Sequence, residues 1–203
     1  MDNENWLESL ETILVFIVPL LFIIPFYVSG FITQALGNCI LYTVHIAGSV
    51  GLTKYNKRTL AEIGLTRKGL LPNLGNSMIL VLAFSLTRLI VADLKLSPDV
   101  NSWEIVAFNL FFWALSGLGQ EIMFRGLILF SFNRWKGWKV ALLVSTILFG
   151  LIHVLRYPSI FGIVLVGVIG GFWGWIALKT KNIVGTTIAH FLFNFLFAFL
   201  LTS

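Results

Sequence analysis

Charge is in short supply in this chain, and each shortage closes off a class of protein. Only 11% of the 203 residues are Asp, Glu, Lys or Arg, while 58% are hydrophobic and the mean hydropathy is +0.92. Water-soluble domains carry about 25% charged residues, so this composition belongs in a bilayer. The single cysteine, Cys39, excludes an intramolecular disulfide and a Cys-based zinc site. It reads as a small apolar residue within a helix. HExxH is missing, as are internal repeats and low-complexity linkers. Basic residues are missing from the N-terminal MDNENWLESLE, where a secretory signal has them, so the first helix is expected to stay in the mature protein.

What is present is a succession of apolar windows. A hydrocarbon core about 30 Å thick takes roughly 20 helical residues to cross. Spans are expected at about 12–28, 31–51, 73–92, 103–132, 138–155, 159–178 and 183–202. They make an all-α, polytopic transmembrane helical bundle of about seven spans (six to eight), a single domain over residues 1–203. Pro19 and Pro25 are expected to kink the first span, and VGVIGGFWG, Val166 to Gly174, offers close helix packing in the sixth. If all the spans cross, one side receives Lys54, Lys57, Arg58, Arg67, Lys68, Arg134, Lys136, Lys139, Lys179 and Lys181, and the other only Lys95 and Arg156. Cytoplasmic loops collect Lys and Arg, which makes the N-terminus cytoplasmic and the C-terminus extracytoplasmic. That asymmetry, facing membrane lipids, accounts for the net charge of +5 with no nucleic acid as partner. Trp103, Trp135, Trp138, Trp173 and Trp175 fit an interfacial belt. The cytoplasmic loop 52–72 is long enough for an amphipathic surface helix.

Ionisable residues at depth are few: His45, Arg88, Glu121, Arg125, His153 and His190. In hydrocarbon such groups face a partner or a wet cavity. His45 reads as a structural hydrogen-bonding residue, and Arg88 as one that snorkels or pairs with Asp93. Arg156, just past His153, either anchors a helix end or greets a substrate carboxylate. Glu121 and Arg125 stand four apart, the spacing of an ion pair on one helix face, and Gln120 is rotated from Glu121 by roughly 100°. FGLIH, Phe149 to His153, and HFLFN, His190 to Asn194, each place two side chains one turn apart. At about 1.5 Å per residue, Glu121 and His153 lie roughly 20 Å from the basic loops and His190 roughly 14 Å. All three reach the midplane, where one polar pocket can gather them. The same residues admit other readings. Glu121, His153 and His190 form a donor set for zinc, and a polar midplane also suits an immunity or scaffolding protein or an ion pathway.

QEIMFR, FGLIH and HFLFN, in that order on separate hydrophobic helices, resemble the EExxxR, FxxxH and Hxxx(N/D/B) signatures of the CAAX-protease and bacteriocin-processing (CPBP) family. These are intramembrane peptidases, among them the abortive-infection-type membrane proteins. EIGLTRKG, Glu62 to Gly69, looks like a weaker family element. The resemblance implies a glutamic peptidase with no metal and no other cofactor, acting on a peptide or protein substrate, prenylated or a peptide precursor. It implies that the first glutamate of the pair and His153 hold and activate a water, that His190 and Asn194 stabilise the oxyanion, and that Glu121 and Arg125 complete the first motif. The first glutamate is replaced here by Gln120, and a carboxamide cannot accept the water's proton. Three readings follow: an engineered Glu→Gln change, a natural non-catalytic relative, or Glu121 as substitute base. In the first two the chain is inactive or strongly impaired.

Overall fold

The computed structural model describes residues 2–91, 94–154 and 156–202. Helix α1 spans Asp2–Val28, α2 Gln34–Tyr55 and α3 Leu70–Val91. A long rod follows, built of α4, Trp103–Glu121, a π-helical stretch, Ile122–Leu129, and α5, Phe130–Lys136. Then come α6, Trp138–Ile152, α7, Ile160–Thr180, and α8, Val184–Asn194, the last prolonged by a π turn, Phe195–Leu200. Five of the described helices are long and apolar enough to cross a membrane, and Trp138–Ile152 and Val184–Leu200 are shorter apolar helices. The chain is an all-α, multi-pass membrane protein.

The π stretch is the axis of the core. Every residue from Ile122 to Leu129 is buried. Phe16 of α1, Ile63, Ala141 and Phe149 of α6 and Ala177 of α7 pack around it. Helices α6 and α7 approach closely because glycines face each other: a β-carbon on Gly150 would stand 3.4 Å from the α-carbon of Gly167. The glycine-rich stretch of α7 thus does the packing work expected of it.

Loop contacts sort the ends of the rods. Glu8 of α1 pairs with Arg58, at 2.7 Å, and with Arg134 at the end of α5. Asn182 donates to the carbonyl oxygens of Thr66 and Lys68, at 2.5 and 3.0 Å. These bonds put the N-terminal turns, the loop after α2, the α5–α6 turn and the α7–α8 turn at one end. At the other, Lys95–Leu96 pairs antiparallel with Leu201–Thr202, a two-residue bridge in an otherwise helical fold.

The structure corrects several sequence expectations. Helix α1 begins at Asp2, because its acidic first turns find the partners just described. The loop after α2 holds a single 3₁₀ turn, Leu60–Ile63, in place of an amphipathic helix. Gly64, at φ 80°, stops it in the left-handed conformation. Trp173 is 3% exposed and so leaves the interfacial belt, whereas Trp175 is 39% exposed. Two residues along a helix is roughly 200° of rotation, so the two rings cannot share a face. His45 is buried, its Nε2 donating to the carbonyl oxygen of Phe16 at 3.3 Å. The Arg88 side chain and Asp93 lie outside the described residues.

Candidate active site

Two residues apart in role but adjacent in sequence sit where α4 gives way to the π stretch. Gln120 is 5% exposed and Glu121 is fully buried. The Gln120 amide Nε2 donates to the Ser116 hydroxyl, one turn earlier, at 3.0 Å, and to the Tyr42 hydroxyl of α2 at 3.2 Å. Gly119 makes the second bond reachable, since a β-carbon there would stand 2.7 Å from that of Tyr42. With its nitrogen so engaged, the Gln120 carbonyl oxygen Oε1 is buried with no protein partner.

Glu121 points to another set of neighbours. Its Oε1 lies 3.1 Å from the Arg125 guanidinium and accepts from His190 Nδ1 at 2.9 Å. Arg125 is fully buried, donates to the carbonyl oxygen of Gly170 at 2.9 Å and lies 3.9 Å above the centre of the Phe149 ring. Gly170 permits that approach: a β-carbon would come within 2.7 Å of Arg125 and into the Phe149 ring. Isolated charges at such depth are costly. Here carboxylate, guanidinium, backbone carbonyl and aromatic face compensate one another.

Helix α6 ends at Ile152, short of the span expected to 155, and the ending orients His153. Its backbone N–H turns to Gly150 at 3.1 Å, which leaves the Phe149 carbonyl oxygen for the ring Nδ1 at 2.7 Å. A carbonyl only accepts, so Nδ1 carries the proton and the neutral ring keeps a lone pair at Nε2. Irregular backbone at membrane depth is tolerated where it lines a cavity.

Such a cavity is present. A space of about 310 Å³ is lined by Gln120, His153, His190 and Asn194, together with Tyr42 and Ser116. The Phe149 ring separates the two imidazoles, at 4.8 Å from His153 and 6.0 Å from His190, and Trp173 covers His190 at 4.7 Å. Of the six residues named from sequence, four line the space, while Glu121 and Arg125 stand behind them, with Glu121 holding His190. Sequence reasoning missed Tyr42, Ser116 and Trp173. Ser116 was legible as the residue four before Gln120 on one helix face, but nothing local marks Tyr42. Among the described residues no three of His, Cys, Asp and Glu are grouped to hold a metal ion.

The type II CAAX prenyl endopeptidase Rce1-like family matches residues 102–196, a segment that contains all six named residues. That segment, just under half of the chain, resembles the Rce1-like family. The likeness supports a CAAX-protease-type intramembrane peptidase at family level and agrees with the three motifs. No curated protein and no solved structure matches the chain. Tyr42, the partner of Gln120, lies outside the Rce1-like segment, so the site draws on the N-terminal hairpin as well.

Proposed function

We propose that the chain is an intramembrane endopeptidase in design, with the attacking-water position at Gln120 and His153, and that the carboxamide leaves it able to bind peptide but cleaving it very slowly. One observation carries this reading. The Gln120 carbonyl oxygen is buried without a partner, and His153 keeps a lone pair at Nε2, on walls of one cavity. Two acceptors are what a water needs to spend both its protons and turn a lone pair toward a peptide carbonyl. Gln120 receives a hydrogen bond but cannot take the proton. With glutamate there the water becomes a nucleophile, by general-base help typically worth about 10² to 10⁴ in rate.

Asn194 supplies amide N–H donors for the developing oxyanion, and His190, held through Nδ1 by Glu121, donates through Nε2 when its ring carries both protons. Glu121 is a poor substitute base, since it stands outside the cavity lining and is tied through Oε1 to Arg125 and His190. The substrate is a peptide or protein segment reached within the membrane, prenylated or a peptide precursor. Lys and Arg at one end of the bundle put that end in the cytoplasm, with the N-terminus.

The test is binding without turnover. Peptides that a Gln120→Glu variant cleaves in lipid should bind the unmodified chain with a similar Kd, and chelators should leave the variant's rate unchanged. A variant that depends on added zinc assigns the chemistry to a metal instead. If the unmodified chain fails to bind those peptides, the design reading fails.

A further inference from the structure

A second recess lies on the outside of the bundle, between α6 and α7 at the basic end. It measures about 420 Å³ and is lined by Trp138, Leu142, Val168, Gly171, Phe172 and Trp175. Trp138 and Trp175 meet edge to face at 5.6 Å and form a rigid wall. From Trp175 back to Val168 is seven residues of helix, so the recess runs roughly 10 Å toward the bilayer centre. Gly171 lets α7 close on α6 beside the recess: a β-carbon there would stand 2.9 Å from the Thr146 hydroxyl. Two ammonium groups stand at the same end, Lys139 at 5.7 Å from the Trp138 ring and Lys179 at 4.5 Å from the Trp175 ring. Both lysines are exposed, and neither forms an ion pair among the described residues.

We propose that this recess is a binding site for an anionic phospholipid of the leaflet at the basic end. An acyl chain lies along Phe172 and Gly171 against the wall of the two tryptophans, and the headgroup phosphate sits between Lys139 and Lys179. Bulk lipid covers any apolar helix face. What sets this face apart is a shaped recess whose polar end carries two unpaired cations beside aromatic rings. Zwitterionic lipid fills the recess equally well but brings its own cation to the lysines, so charge decides the occupant. The site is independent of the peptidase reading.

The test uses the full chain in vesicles of phosphatidylcholine with increasing phosphatidylglycerol. Tryptophan quenching by brominated phosphatidylglycerol is compared with that by brominated phosphatidylcholine. The account expects the anionic lipid to be preferred, by about five-fold for each lysine, and the preference to fall with salt. A Lys139→Gln/Lys179→Gln chain should lose it, while Lys54→Gln/Lys68→Gln, exposed lysines at the same end, should keep it. Equal quenching by both lipids in the unmodified chain, or a preference lost equally in both pairs of variants, overturns the site.

Discussion

A carboxamide and a carboxylate differ little in shape and entirely in the protons they handle, and positions 120 and 121 carry one of each. Their surroundings differ accordingly. Gln120 meets two hydroxyls, from Tyr42 and Ser116, which can turn and donate to a carboxylate, so Gln120→Glu should fold. Glu121→Gln should not be benign. It leaves Arg125 buried without its countercharge, which costs on the order of 3 to 5 kcal/mol, and a large loss of thermal stability in detergent checks this. A loss no greater than that of Gln120→Glu would mean that the Glu121–Arg125 pair does not hold the fold. Gly170→Ala acts at the same point from the other side: the new methyl displaces Phe149 or Arg125, with an overpacking cost of about 1 to 3 kcal/mol. The pairing of Glu121 with Arg125 was legible from spacing four on a helix. Its third member, His190, was not, because a contact across 69 residues of sequence leaves no local periodicity.

Elements show the same division. The rods were legible because twenty-residue apolar windows have one solution in a bilayer. Their ends were not, since caps and pairings from distant segments decide them. The clearest case is α1, whose acidic turns are helical because Glu8 binds Arg58 and Arg134, and Glu11 accepts from Asn56 at 3.1 Å. The hydrogen bond to Glu8, more than any other contact, holds the Arg58 guanidinium above its ordinary value. The Glu62 carboxyl is held below its usual range, first by the backbone N–H of Thr59. A carboxyl with a depressed folded pKa contributes stability above its unfolded value, about 4.3, and loses it as pH falls through the folded one. Hydrogen exchange at Thr59 and in the Leu60–Ile63 turn should therefore quicken on acidification below about pH 4. In a Glu62→Gln chain that step should be absent. Glu8→Gln should destabilise by about 1.5 to 3 kcal/mol, the worth of hydrogen bonds to a charged group, and free the N-terminal turns first. Unchanged exchange there would detach α1 from the cluster at the basic end. The π stretch has no sequence signal of this kind, though it begins at the residue after Glu121, and such stretches often mark functional positions.

For the whole molecule, the cavity and the basic loops occupy opposite halves. The lining residues of α1 run from Leu20 to Tyr27 and those of α2 from Gln34 to Tyr42, while Arg156 and Tyr157 stand beyond His153. The ten basic loop residues contribute nothing to it. With those loops in the cytoplasm, the cavity faces the extracytoplasmic half of the membrane. An Arg156→Cys chain lacking Cys39 should then react with an impermeant thiol reagent added outside intact cells, and Lys54→Cys in the same background should not. The reverse pattern inverts the topology and leaves the site chemistry untouched. That chemistry stands or falls on one rate ratio. In lipid, on a single peptide, kcat of the Gln120→Glu chain should exceed that of the unmodified chain by about 10² to 10⁴, and His153→Ala in the variant should remove the gain. A Gln120→Glu chain no faster than the unmodified one, or a variant indifferent to the loss of His153, would contradict the placing of the attacking water between these two side chains.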